Sequence, residues 1–251
     1  MITMKESLSA AIQIMLDTLS FEAPEGMPTG YPELDNLTRG MHKRSLTVLA
    51  SPPSLGKTAF ALNIVSNLMG KKPEMPILYC SGLSHTELTF RLLSIFSGVE
   101  CGHDRNLKAD EITRMTECIT ERKSYPLFFE ECGISFEEIT GLCSKQHIGF
   151  LIFDPARQEC LAELKHMAQE LDIPVLALVS TGKEKNTMEI TETADTLIHL
   201  VRDRHETKKD QEVPVSLIVA RNRFGLCGTC RMKFNPETIQ FRTFDNEIEE
   251  A

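Results

Sequence analysis

No apolar run in the 251 residues approaches the roughly 20 consecutive positions that a membrane-spanning helix requires. The opening "MITMKESLSAAIQIMLDTL" has one early lysine, an amphipathic body and no small-residue cleavage site, which makes it a poor secretion signal. The eight cysteines follow no framework spacing. Without a secretion signal they read as reduced, mostly buried small hydrophobes of a cytosolic, cytoplasmic chain. Internal repeats and low-complexity tracts are missing too. So is any excess of positive charge: the formal net charge is −9. A domain that grips nucleic acid through its overall field is usually basic, so such a role has to come from a local patch or a ring of subunits. What is plentiful is core material. A hydrophobic content of 41% excludes disorder, and the length fits one large domain or two small ones.

From Ser7 to Leu19 apolar side chains fall at Leu8, Ile12, Met15, Leu16 and Leu19, the spacing of a one-faced helix. "SFEAPEGMPTGYPELDNL" is dense in proline and glycine and reads as a linker. Strand and helix then alternate. Strands are predicted at "SLTVLA", "MPILYCS", "YPLFFE", "GFLIFD" and "IPVLALV". Helices are predicted at Lys57 to Met69, His85 to Ser97, about Ala109 to Lys123, "SFEEITGLCSKQ" and "LAELKHMAQEL". Ser135 with Glu138 three residues later forms a capping box. Four further strands, "TLIHLV", "VPVSLIVAR", "TCRMKF" and "IQFRTF", follow with turns between them. This order predicts an α/β fold: a mostly parallel central sheet flanked by helices, with an antiparallel C-terminal extension.

Chemistry enters at "LTVLASPPSLGKTAFALNIV". A phosphate-binding loop reads G-x-x-x-x-G-K-[ST] between a strand and a helix. Gly56, Lys57 and Thr58 are in place, in that strand-to-helix context, but Ser51 stands where the first glycine would be. Such a loop aims successive backbone N–H groups at phosphates, aided by the positive end of the next helix. The lysine adds charge at the β/γ position and the Ser/Thr hydroxyl holds Mg2+. The alternative is a proline-rich turn before an ordinary helix. A second half-site is an apolar strand ending in aspartate, and "FLIFD" ends in Asp154, two strand–helix units later.

In order along the chain, "MPTGYPELDNLTRGM", "ASPPSLGKTAFALNI", "LTFRLLSIFSGV", "MAQELDIPVLAL", "ETADTLIHLVRD" and "VARNRFGLCGTCRMKF" resemble successive motifs of DnaB-type replicative helicases, in their C-terminal RecA-like domain. The likeness runs from about Gly26 to Phe244. It implies a RecA-like P-loop domain at 26–245, preceded by a linker helix and linker at 1–25 and followed by an acidic tail at 246–251. Nucleotide contacts fall on Ser54, Leu55, Gly56, Lys57, Thr58 and Ala59, and metal contacts on Thr58 and Asp154. The implied ligands are ATP or ADP with Mg2+. In the family the helix like Ser7 to Leu19 packs on the neighbouring subunit, so the implied partners are further copies in a hexamer-type ring, or a replicative helicase. Single-stranded DNA would be held weakly, and no membrane is involved. The family loop usually reads A-R-P-S-M-G-K-T, so Ser51 replaces an alanine and Pro52 an arginine. The missing glycine is ordinary there, and nucleotide binding is expected.

Three departures bear on turnover. After the second strand these helicases carry S-L-E-M-S, whose glutamate polarises the attacking water. Here Gly82 occupies the glutamate position, and losing a group that orients water costs roughly 10²–10⁴-fold in rate. Glu87, five residues on, reads as a solvated face rather than a rescue. Ser180 replaces the family's γ-phosphate-sensing glutamine with a shorter reach. The segments after Asp154 and after Leu178 are short where the family's DNA-holding loops lie, leaving Lys183 and Lys185, which read as solvated loop lysines. Arg221 and Arg223 fall where the family places basic fingers that reach the next subunit's γ-phosphate, or are a pair of surface arginines on a hairpin. The C-x-x-C at Cys227 and Cys230 reads as inert thiols, because Cys101 and His103 are the only candidates for a second ligand pair. Two functions remain. One is an ATP-driven helicase motor with an atypical, weakened hydrolytic site. The other is a non-motor paralogue that binds nucleotide and joins or regulates a replicative helicase ring, and the combined losses point to it.

Overall fold

The computed structural model describes residues 26–100, 106–182, 188–202 and 212–244, together with Met4 and Leu8. The helix expected over Ser7 to Leu19, the acidic tail, Lys183, Lys185, Cys101 and His103 therefore lie outside the described residues, Leu8 excepted.

Residues Leu46–Ser51 form β1, buried along its whole length. Its apolar run is what a strand covered on both faces requires. The remaining strands are β2 (Ile77–Ser81), β3 (Leu127–Glu131), β4 (Phe150–Ala156), β5 (Val175–Ser180), β6 (Thr196–Arg202), β7 (Val213–Asn222), β8 (Gly228–Asn235) and β9 (Gln240–Thr243). The helices are α1 (Pro32–Thr38), α2 (Lys57–Lys71), α3 (His85–Ser97), α4 (Ala109–Arg122), α5 (Phe136–Lys145), α6 (Leu161–Leu171) and α7 (Met188–Thr193). The described strands form one sheet in the order β3-β2-β4-β5-β1-β6-β7-β8-β9. Pairings from β3 through to β6 are parallel. Those from β6 to β9 are antiparallel. The expected α/β architecture is the one observed.

One face of the sheet is covered by α2 and α3, through Phe60, Ile64, Leu68, Leu88 and Leu92. The other is covered by α5 and α6, through Ile139, Cys143, Leu161 and Leu164. Burying each such side chain stabilises the fold by about 1.5–3 kcal/mol. Among the described residues no helix is long and apolar enough to cross a membrane.

Two features differ from the sequence reading or go beyond it. The stretch read as a linker contains α1. Pro32 starts it, where a missing N–H costs nothing, and Leu34 is fully buried. Asp35 then ties down the preceding turn, accepting from Thr29 N at 2.8 Å and Gly30 N at 3.1 Å. The helix stops at Arg39 and Gly40, which have positive φ of 58° and 80°. Seven residues are too few to show a period, and the proline favoured at a helix start was taken as a breaker. The antiparallel extension, in turn, curls back over α2. Asn63 on α2 donates to Ile239 O at 2.8 Å and accepts from Phe241 N at 3.0 Å. The Phe60 ring meets Phe241 edge-on at 5.1 Å and stacks on Tyr31 at 5.3 Å.

Candidate nucleotide site

The carboxyl end of β1 runs into the loop Pro52–Gly56 and then α2. Ser54 at φ 64° and Gly56 at φ 105° both lie in the left-handed region, and the tight turn this makes feeds directly into Lys57 at the helix start. Gly56 is the position where a side chain would be strained. The Lys57 side chain folds back over the loop. Its Nζ donates to Ser51 O at 3.0 Å, Ser51 Oγ at 3.2 Å and Pro52 O at 3.2 Å. Burial pushes the Lys57 ammonium pKa down, and the charge of Asp154 opposes that. The cation is thus held in place at the mouth of the loop, with nothing but loop oxygens as direct partners in these bonds. Ser54, Leu55 and Ala59 lie on either side of it, Leu55 and Ala59 buried and Ser54 exposed.

Asp154, near the carboxyl end of β4, is 7% exposed. Thr58, the first-turn neighbour of Lys57, lies beside its carboxylate and helps to pull its pKa down. The fully buried Tyr79 on β2 donates its hydroxyl to Asp154 Oδ2 at 3.0 Å. Burial pushes the Asp154 carboxyl above the usual range, while the bonds from Thr58 and Tyr79 and the charges of Lys57 and Arg91 pull it back. The fold therefore brings Lys57, Thr58 and Asp154 together, as the loop motif and the strand-end aspartate predict. A hydroxyl and a carboxylate are the hard oxygen donors that Mg2+ prefers, so the donor set fits that ion. Tyr79 was not foreseen, because its role depends on the neighbouring of two strands far apart in sequence.

The DnaB-like helicase C-terminal domain model matches residues 26–154 and 157–243. The chain belongs to that family. The DnaC replicative DNA helicase of Bacillus subtilis is 26% identical over 264 residues, covering 90% of this chain and 58% of that protein. The DnaB replicative DNA helicase of Geobacillus stearothermophilus is 27% identical over 267 residues, with the same coverage of 90% and 58%. The chain thus spans a little under three fifths of each. A solved structure of a DnaB-like replicative helicase, described with its interactions with primase, superposes with a TM-score of 0.79 at 22% identity, over 94% of this chain and 66% of that one. That likeness gives the fold, a RecA-like α/β domain.

Within this DnaB-like domain, the structure places each departure from the family pattern. Ser81 pairs with Asp154 across β2 and β4, and Gly82 N donates to Asp154 O at 2.9 Å. Position 82 is therefore beside the strand-end aspartate, and it offers no side chain. Glu87 is not aimed there. Its carboxylate accepts from Ser84 N at 3.1 Å and Ser84 Oγ at 2.9 Å, closing a capping box at the start of α3. The S-x-x-E spacing of Ser84 and Glu87 carries that signal in the sequence, as it does for Ser135 and Glu138. Ser180 pairs with Ser51 across β5 and β1, so it stands next to the loop, with a side chain two carbons shorter than glutamine. After β4, a single 3-10 turn at Gln158–Cys160 leads straight into α6. The family match breaks over residues 155 and 156, at the end of β4, and resumes at 157.

Arg221 and Arg223 lie together on the β7–β8 hairpin, at the opposite end of the sheet. Leu46 N and Arg223 Nη1 both donate to the buried Asp195, at 2.9 Å and 3.0 Å, and Lys165 Nζ pairs with the same carboxylate. Arg223 is thus level with the start of β1, about 17 Å along the strand from the loop at ordinary strand rise. The two arginines do not serve the chain's own loop. The hairpin is firmly seated: Asn222 Nδ2 and Leu226 N donate to Leu37 O at 3.0 Å and 2.9 Å, and Phe224 stacks on His42 at 4.0 Å. A Cβ on Gly225 would collide with the Leu37 carbonyl. Asp195 lies within "ETADTLIHLVRD", but the sequence gives no sign of the ion pairs it makes.

The C-x-x-C pair separates as expected of inert thiols. Cys227 is exposed on the hairpin, whereas Cys230 faces inward from β8 and its thiol donates to Glu33 Oε2 at 3.4 Å. Burial pushes the Cys230 thiol up to about 12. Among the described residues no three His, Cys, Asp or Glu side chains form a metal-binding group.

Proposed function

We propose that this chain is the ATP-binding domain of a DnaB-type replicative DNA helicase, weak or defective in hydrolysis and DNA translocation. It takes ATP or ADP with Mg2+ on Ser54 to Ala59, with Thr58 and Asp154 holding the cation. Held by those two residues, Mg2+ would supply positive charge against the phosphates. The observation that carries the reading is the join of a preset Lys57, a Thr58–Asp154 pair and an empty glutamate position at Gly82. The chain's residues can bind and orient a nucleotide there. With Gly82 in place, none of them stands where the family's water-polarising carboxylate does. Ser180 shortens the contact to the terminal phosphate.

Strand displacement tests the motor side. The reading expects little or no ATP-driven unwinding of a forked substrate across a salt series, and robust unwinding would refute it.

A second reading is a non-motor paralogue that joins or regulates a replicative helicase ring. The direct passage from β4 into α6 supports it, because a loop that would reach DNA is replaced by a short turn. In either reading, Arg221 and Arg223 act on a neighbouring subunit's site, which their distance from the chain's own loop supports. A pull-down with the full-length replicative helicase of the same cell discriminates: capture supports the regulator, and its clean absence counts against it.

A further inference from the structure

We infer that Tyr79 is a positioning residue for the metal-binding carboxylate, an inference that rests on the nucleotide reading above. A fully buried phenol must find a partner for its O–H, and most find a backbone carbonyl or another neutral group. Tyr79 gives its proton to Asp154 Oδ2 at 3.0 Å. The sheet fixes this geometry. Tyr79 pairs with Ile152 across β2 and β4, so Tyr79 and Asp154, two residues further, point to the same face on adjacent parallel strands. The ring is fully buried in the core cluster that α2 and α3 cover.

Two hydroxyls face the carboxylate, that of Tyr79 in a 3.0 Å hydrogen bond and that of Thr58 beside it. They differ in what nucleotide does to them. Thr58 would turn its hydroxyl to Mg2+ if the cation were bound, which would make its contact with Asp154 exchangeable. The Tyr79 bond would stay, because the phenol is fully buried on β2 and has no access to the loop's open side. Tyr79 therefore keeps one carboxylate oxygen occupied and the other turned toward the loop, with or without nucleotide. A hydrogen bond to a charged group of this kind is strong enough to matter to a metal's affinity.

The test is Tyr79→Phe, which keeps the ring and removes the donor. A fluorescent ATP analogue is titrated into wild type and variant, once in excess Mg2+ and once in EDTA. The variant should lose about tenfold in affinity with Mg2+ and nothing in EDTA. Equal losses in both, or no loss in either, overturn the positioning role. Should Tyr79→Phe melt too early to titrate at 25 °C, the same four titrations are run at 4 °C, where the same Mg2+-dependent loss is expected and its absence overturns the inference. If the wild type itself binds no better with Mg2+ than in EDTA, the nucleotide reading fails and takes this inference with it. If the wild type responds to Mg2+ and Tyr79→Phe matches it, only the inference falls.

Discussion

Removing the Lys57 side chain should abolish nucleotide binding while leaving the apo fold almost as stable. Lys57 Nζ makes three bonds, to two oxygens of Ser51 at the end of β1 and to the Pro52 carbonyl, at 3.0–3.2 Å. Lys57→Ala forfeits them, but it also relieves the burial that already pushes the ammonium pKa down. These effects oppose each other, so the apo melting temperature should move by only a few degrees. Ligand stabilisation is a larger signal. A nucleotide at 100 times its Kd stabilises the folded state by about 2.7 kcal/mol. For a domain of this size each kcal/mol raises the melting temperature by about 2–4 °C, so saturating ATP with Mg2+ should raise it by about 5–11 °C. The assay is a thermal melt of wild type and Lys57→Ala, with and without ATP and Mg2+. Wild type should shift and the variant should not. An equal shift in Lys57→Ala would mean that the ligand sits elsewhere, and the site built on the loop would be wrong.

Two further outcomes follow from the same geometry. Asp195 is 2% exposed and holds both Lys165 and Arg223, so Asp195→Asn leaves a partly buried lysine uncompensated. Breaking such a pair costs about 3 kcal/mol, a fall of about 6–12 °C in melting temperature, and an unchanged melt would contradict the anchoring role. Cys227 should be alkylated in the native protein by a maleimide while Cys230, with its thiol raised to about 12 and turned inward, stays unmodified; mass spectrometry of the peptide reads both.

The parts of this domain that were legible in the sequence are those whose signal is local. The loop announces itself by Gly56, Lys57 and Thr58 at fixed spacing between an apolar strand and a helix, and each strand of the parallel sheet is a short apolar run between turn residues. The sequence also puts Gly82 directly after the second apolar strand, and the Ser81–Asp154 pairing sets it beside the aspartate. What was not legible depends on contacts between distant segments. The curl of β9 over α2 rests on Asn63 meeting Ile239 and Phe241, more than 170 residues away. Tyr79 reaching Asp154 needs the strand order, and Asp195 gathers α6, β1 and the arginine hairpin from three parts of the chain. Glu87 is the middle case: its capping box is a local pattern, but its position near a missing glutamate made a catalytic question the more prominent one.

The central claim is that this site holds nucleotide but lacks the group that orients water. It is tested most directly by steady-state phosphate release from wild type and Gly82→Glu, each measured beside nucleotide binding, with single-stranded DNA present and absent. The backbone there accepts a side chain with little disturbance at its Cβ. Gly82 does not occupy the left-handed region, and a Cβ would lie 3.3 Å from Pro155 Cδ, so the ring has to give by only a few tenths of an ångström. The account predicts that wild type binds ATP and turns over negligibly with or without DNA, and that Gly82→Glu raises turnover by about 10²-fold or more. DNA-stimulated turnover in the wild type, or a Gly82→Glu variant that binds nucleotide and stays inert, would contradict it.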